Sequence, residues 1–241
     1  MPAEPTELFD YVSRREPLFE WREIFRAGRR LELEMVSQEW ISGPWTHEIL
    51  IVWPEQNLHP RRCLLVVTGD RTASDETLAF ALADMSGMAV ATLFQVPNQP
   101  IWGLREDALI AYSFAEYLRT GEMEWPLLLP MAKSVPQALR VIKEAATGIE
   151  RFVVTGASKR GWTTWLCAAL GLGVIVGIAP VIFDFLNIPA QLSSQTTQFG
   201  GYSSMLEDYA RYALQQSVDT PQGSRLASIV DPYSYRYSLT A

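Results

Sequence analysis

The stretch Arg151-Phe152-Val153-Val154-Thr155-Gly156-Ala157-Ser158-Lys159-Arg160-Gly161-Trp162-Thr163-Thr164-Trp165 decides the fold. It opens on an apolar run of the kind that makes an inner strand, turns through small residues, and continues with helical spacing from Lys159. In a strand-Gly-x-Ser-helix turn the serine is held in a strained conformation, its hydroxyl points outward, and the helix aims backbone N–H groups at the same spot. A serine hydroxyl is a weak nucleophile until a base takes its proton and donors stabilise the oxyanion that forms. Ser158 is therefore the candidate nucleophile. The second glycine, Gly161, stands one place later than in the usual Gly-x-Ser-x-Gly spacing. The competing reading is a tight strand-to-helix turn in which Ser158 only caps the helix, a position serine favours.

Lys159 and Arg160 occupy the first helical turn, where each cation opposes the helix dipole by about 0.3–1 kcal/mol. They call for a compensating anion. One answer is an oxyanion or an anionic substrate; the other is a carboxylate at the core edge for Arg160, with Lys159 screened in solvent.

Outward from the elbow, segment 31–36 alternates polar and apolar residues and reads as an edge strand with one wet face. Segments 48–53, 63–67, 88–94 and 174–182 are nearly continuous apolar runs and read as inner strands. Helical spacing appears over 75–86, with Gly87 as its stop, and over 105–119, 132–146 and 159–170. Strands and helices thus alternate, which predicts an α/β fold with a mostly parallel sheet flanked by helices. The loop Thr68-Gly69-Asp70 follows an early strand, where a second oxyanion N–H is expected. Beyond Asp184 the pattern changes to helices over 203–216 and 222–229 that read as a helical cap after the sixth strand. The predicted organisation is one domain over 1–241: a sheet core to 186, a cap over 187–230, and a lead-in to a further strand over 231–241.

Composition bounds the function. A chain of 241 residues, 48% of them hydrophobic, buries a substantial core. Its formal net charge of −7, without a run of Lys or Arg, argues against nucleic acid and anionic lipid and for a small-molecule ester or a protein partner. The apolar stretch 168–186 contains three glycines, Pro180 and Asp184, and reads as helix end, strand and turn rather than a membrane span. The N-terminal residues lack the basic and apolar blocks of a signal peptide, and localisation stays open. Cys63 and Cys167 sit among apolar neighbours, as buried inert thiols do. No cofactor or metal motif is present in the sequence read this way.

The elbow string, together with Val96-Pro97-Asn98-Gln99-Pro100, Arg105-Glu106-Asp107-Ala108-Leu109-Ile110-Ala111-Tyr112 and Asp231-Pro232-Tyr233-Ser234-Tyr235-Arg236, resembles the PhoPQ-activated pathogenicity-related family. That family includes autocrine proliferation repressor-like proteins and looks like an α/β-hydrolase branch. The resemblance covers nearly the whole chain and implies an esterase-like serine hydrolase with Ser158 at the nucleophile position. The Gly156-x-Ser158-x-x-Gly161 spacing is also similar to that of glucuronoyl esterases, whose residue after the nucleophile is a cation that helps bind the oxyanion. This likeness implies an oxyanion role for Lys159 and, by its place after the next strand, an acid role for Asp184, which otherwise reads as a turn aspartate.

The base is the gap in this reading. In α/β-hydrolases a histidine follows the nucleophile and the acid, yet His47 and His59 both precede Ser158. Each reads as a surface or strand-end residue. Relatives continue past the Asp231 string into strands that carry a histidine, so the chain is expected to be C-terminally truncated, with its last strands missing and its hydrolysis weak or absent. The alternative is a non-catalytic hydrolase-fold signalling or binding protein. Its recognition surface would draw on cap aromatics: Phe199, Tyr202, Tyr209, Tyr212, Tyr233, Tyr235 and Tyr237.

Overall fold

Seven strands form one sheet in the computed structural model, which describes residues 5–239. They are β1 (Glu20–Ala27), β2 (Arg30–Trp40), β3 (Gly43–Val52), β4 (Arg62–Val67), β5 (Ala89–Leu93), β6 (Arg151–Ala157) and β7 (Ile175–Val181). Their spatial order is β1-β2-β3-β5-β4-β6-β7. The first three strands form an antiparallel meander that meets β5 antiparallel, whereas β5, β4, β6 and β7 run parallel to one another. The parallel block carries the alternating strands and helices that the sequence predicts: α2 (Asp75–Ser86) precedes β5, α3 (Glu106–Thr120) and α4 (Leu128–Ala145) precede β6, and α5 (Lys159–Ala169) lies between β6 and β7. All five residues of β5 are buried, as expected of an inner strand covered on both faces.

Two strand expectations need correction. Segment 31–36 belongs to β2, which is flanked by β1 and β3, so the sheet ends at β1 instead. All eight residues of β1 except Trp21 are exposed, and Glu20, Arg22, Glu23 and Arg26 give it the charged character that protects an edge from further pairing. Such a strand carries no apolar period to read, and the cap consequently follows a seventh strand rather than a sixth.

Helix α2 matches its expected bounds and ends on Gly87 in the left-handed region, φ 63°. The region after β7 departs more. Helix α6 (Ile188–Phe199) was not foreseen; its Ser193-Ser194-Gln195-Thr196-Thr197 run is poor in helix formers, so packing rather than propensity holds it. The expected helix over 203–216 is broken into a 3₁₀ turn (Ser204–Leu206), α7 (Glu207–Ala210) and α8 (Leu214–Ser217), with Ala213 at φ 52° at the last break. Helix α9 (Pro221–Val230) starts on the Thr220 side chain, which accepts the Gly223 N–H at 3.1 Å. Helices α7, α8 and α9 pack against α3, and a second 3₁₀ turn (Pro232–Tyr235) packs against α5. Residues 1–4 and 240–241, hence the start of the predicted domain and the end of the strand lead-in, lie outside the described residues. Among the described residues no helix is long and apolar enough to cross a membrane.

His47 also departs from expectation. It is wholly buried in β3, with Nδ1 at 2.9 Å from the Phe94 carbonyl and Nε2 at 2.9 Å from Ser37 Oγ and 3.2 Å from Ser134 Oγ. A carbonyl only accepts, so Nδ1 carries the proton and Nε2 accepts from the Ser37 hydroxyl, the Ser134 proton being given to the Pro130 carbonyl at 3.0 Å. Burial holds the imidazole down at about 4, against which the backbone hydrogen bonds work only partly, so the ring is neutral at pH 7. His59 is exposed, and its carbonyl accepts the Arg62 N–H at 2.9 Å across the turn at Pro60. Both cysteines are buried free thiols, and burial pushes Cys63 up to about 12 and Cys167 higher.

Candidate active site

Ser158 leaves β6 at φ 55°, ψ −123°, a conformation that costs a residue with a Cβ about 1–3 kcal/mol and persists only where its surroundings impose it. The imposing contacts are visible. Its N–H donates to the Val181 carbonyl at 2.8 Å, tying the turn to β7, and its own carbonyl accepts the Trp162 N–H at 3.0 Å. The hydroxyl caps nothing in α5, so the turn-and-cap reading fails. The late second glycine has a steric reason. A Cβ on Gly161 would lie 2.9 Å from Phe183 Cβ and 3.0 Å from the Val181 carbonyl oxygen, and one on Gly156 would lie 2.7 Å from the Arg160 carbonyl oxygen. Both glycines let α5 lie directly on the strands, which brings its first turn to the serine.

The two cations of that turn are compensated from within the protein. Glu106, the first residue of α3 and itself at φ 55°, receives Arg160 through both guanidinium nitrogens at 2.6 and 2.7 Å and Lys159 Nζ at 2.7 Å. Gln99 clamps it from the other side, donating to its carboxylate at 2.5 Å and accepting its backbone N–H at 2.8 Å. Burial alone would raise this carboxyl, but the hydrogen bonds from Arg160, Lys159 and Gln99 outweigh it and bring Glu106 down to about 2. Lys159 also reaches Asp107 at 3.0 Å, and Asp107 accepts the Tyr209 hydroxyl of α7 at 3.0 Å. Burial, reinforced by Asp107, pushes the Tyr209 phenol well above its ordinary value, so it stays a donor. The core-edge carboxylate expected for Arg160 is thus Glu106, whereas Lys159 is buried at 8% exposure rather than solvated. Glu106 was missed as a site residue, although the uncompensated cations at the start of α5 were the signal for it.

Ser158 opens into a cavity of about 340 Å³ roofed by the helices that follow β7. Lys159 and Asp184 line it too, so three predicted site residues meet there. Asp184 is exposed, and among the described residues only its backbone carbonyl is engaged, by the Leu186 N–H at 2.8 Å. Gly69 and Asp70 lie elsewhere. A Cβ on Gly69 would sit 2.5 Å from Arg160 Nη2, and Asp70 pairs with Arg105, so this loop backs the Glu106 cluster and is absent from the cavity lining. Neither histidine lines the cavity. Trp162 forms one wall, stacked on Phe183 at 5.1 Å with its indole N–H donated to the Val230 carbonyl. Asp231 fixes the roof: buried, it accepts the N–H groups of Asn187, Ile188 and Tyr233 at 2.7–3.1 Å and thereby caps α6 from a distant part of the chain. Burial raises its carboxyl despite those bonds. Of the cap aromatics, Tyr235 is fully buried, while Phe199, Tyr202, Tyr212, Tyr233 and Tyr237 are exposed.

The four strings that carried the resemblance therefore converge: Gln99, Glu106–Asp107 and Lys159–Arg160 form one cluster, and Asp231 holds the roof of the adjoining cavity. Comparisons with known proteins bear on the fold and the family. The chain is similar to acetyl xylan esterase from Paenibacillus sp. R4, with TM-score 0.63, 15% identity, and coverage of 100% of this chain and 78% of that one. It is also similar to acetyl xylan esterase 1 from Thermoanaerobacterium sp. JW/SL YS485, with TM-score 0.50, 13% identity, and coverage of 100% and 86%. At such identity the likeness is one of fold, that of α/β-hydrolase esterases. Autocrine proliferation repressor protein A of Dictyostelium discoideum is 32% identical over 96% of this chain and 52% of its own length, so the chain spans about half of that relative. The model of the PhoPQ-activated pathogenicity-related protein family matches residues 8–241. On that match and that identity, the chain belongs to the PhoPQ-activated pathogenicity-related family.

Proposed function

We propose that this protein is an esterase-like serine hydrolase in which Ser158 is the nucleophile. The observation that carries the reading is the Ser158 backbone at φ 55°, ψ −123°, lining a cavity and free of any capping role. Strain without a structural use is the mark of a residue held for chemistry. In the proposed reaction, Ser158 Oγ attacks the ester carbonyl carbon as its proton leaves to a base, and the carbonyl oxygen becomes an oxyanion. The Lys159 backbone N–H, in the first helical turn where no intrahelical acceptor exists, faces that oxyanion. The Lys159 ammonium has three protons and two carboxylate partners, Glu106 and Asp107, which leaves one donor for the same oxygen. Glu106 is the positioning residue that holds the ammonium and the helix start in place. The Gly69–Asp70 loop, packed behind the Glu106 cluster, is given no part in this step, and Asp184 is assigned to orient the base. Collapse of the tetrahedral adduct expels the alcohol, which takes the proton, and water then releases the acid from Ser158.

A second reading has its own support. No imidazole among the described residues reaches Ser158, and the Dictyostelium relative is named as a proliferation repressor. A hydrolase-fold protein that binds without turning over would fit both facts. The two readings separate in one assay: hydrolysis of a neutral aryl ester by this chain and by Ser158→Ala at matched fold content. Turnover above background that disappears in the variant supports the esterase; equal rates in both support the binding protein.

A further inference from the structure

Gln215, in α8, is 4% exposed and lines the Ser158 cavity. Its amide nitrogen donates to the Leu206 carbonyl at 3.1 Å, which fixes the other amide atom as the oxygen. That oxygen is buried and accepts a hydrogen bond from no described residue. An orphaned buried acceptor is costly, and a ligand that offers it a donor recovers the loss.

The rest of the lining defines the remainder of the ligand. Phe114, Trp162, Ile188, Leu192, Leu226 and Val230 supply apolar walls. The charged groups at the cavity are already paired: Lys159 with Glu106 and Asp107, and Asp107 also with Tyr209. The remaining charge is the Asp184 carboxylate, which has no ion pair among the described residues. A carboxylate entering here would lose its hydration, meet no unpaired cation, and face a like charge.

We propose that the cavity binds an uncharged, mainly apolar group bearing one hydrogen-bond donor, a hydroxyl or an amide N–H, which Gln215 receives as its amide turns toward the cavity, and that it rejects carboxylates. The proposal rests on the cavity being the substrate pocket and requires nothing of the chemistry at Ser158. With about 340 Å³ the cavity lies at the lower end of the range for small-molecule sites, about 300–1,000 Å³.

Calorimetric titration of the whole 241-residue chain with 4-ethylphenol, 4-ethylanisole and 4-ethylbenzoate at neutral pH tests it. The three share a ring and an ethyl group and differ in having a donor, a masked donor or a charge. The phenol is expected to bind roughly three- to tenfold tighter than the anisole, the worth of one net hydrogen bond, with the benzoate weakest. Gln215→Leu should erase the preference for phenol over anisole, and Leu226→Trp, which fills the cavity, should weaken all three. Undetectable phenol binding, equal phenol and anisole affinities, or a benzoate as tight as the phenol each overturns the proposal, and none of these depends on a variant folding. Fluorophosphonate labelling of the same sample keeps the readings apart. Labelling at Ser158 without donor preference removes this inference alone, and donor preference without labelling at saturating imidazole removes the nucleophile alone.

Discussion

Replacing Glu106 by Gln takes one negative charge from between Arg160 and Lys159 while keeping the side chain's shape. The carboxylate accepts from Arg160 at 2.6 and 2.7 Å, from Lys159 at 2.7 Å and from Gln99 at 2.5 Å. In the variant one amide oxygen remains, and the amide nitrogen turns a donor toward a guanidinium that can only donate. Breaking a buried ion pair by removing one partner costs about 3–5 kcal/mol. Here the Arg160 side chain is 11% exposed but that of Glu106 is 39% exposed, so solvent screening reduces the expected loss to roughly 2–3 kcal/mol. In a chain of this length that lowers Tm by about 4–12 °C. The pH dependence has a definite sign. The folded-state value near 2 lies below the ordinary value of about 4.3, so the contribution is complete above about 4.3 and disappears as pH falls toward 2. Urea unfolding of wild type and variant should show a constant gap between pH 5 and 8 that narrows below about 4.3. A gap under about 0.5 kcal/mol at neutral pH, or one unchanged in acid, refutes the role given to Glu106.

Three further outcomes are expected. Burial lowers His47 from 6.5 to about 4, so stability is full above 6.5 and falls by about 3 kcal/mol as pH drops through that window; His47→Gln should flatten the slope in urea unfolding, and an unchanged slope assigns it to other groups. Lys133, 1% exposed, donates to the carbonyls of Tyr11 and Arg14 at 3.2 and 2.7 Å and pairs with Glu16; Lys133→Ala should cost about 3 kcal/mol, and a thermal shift within error contradicts this. Gly161→Ala pushes a methyl against Phe183 and the Val181 carbonyl and should cost about 1–3 kcal/mol by separating α5 from β7, whereas unchanged stability would show that the contact relaxes freely.

The parallel half of the sheet was legible because its strands are continuous apolar runs with helices of clear period between them. The antiparallel edge was not: β1 is almost wholly exposed, and nothing in its side chains announces a strand. The cap was legible only in kind. Helix α6 is built from serines, threonines and glutamines and depends on Asp231, more than forty residues away, for its start. Within the site, Ser158 and Lys159 could be read from the elbow because strand, turn and helix are local. Glu106 could not be placed, since its charged partners lie more than fifty residues away at the start of α5, yet the charge opposing the α5 dipole required some such anion. His47 was misplaced for a related reason: a polar residue at the start of an apolar run looks peripheral until Ser37 and Ser134 are brought to it.

The central claim is that Ser158 is held for nucleophilic attack, and it is tested most directly by mapping the adduct of a neutral fluorophosphonate by peptide mass spectrometry, with and without added imidazole as a diffusible base. A single adduct on Ser158 is expected, formed faster as imidazole is raised and absent from Ser158→Ala. Modification elsewhere at the same rate, or a Ser158 that stays unmodified at saturating imidazole in folded protein, would contradict it.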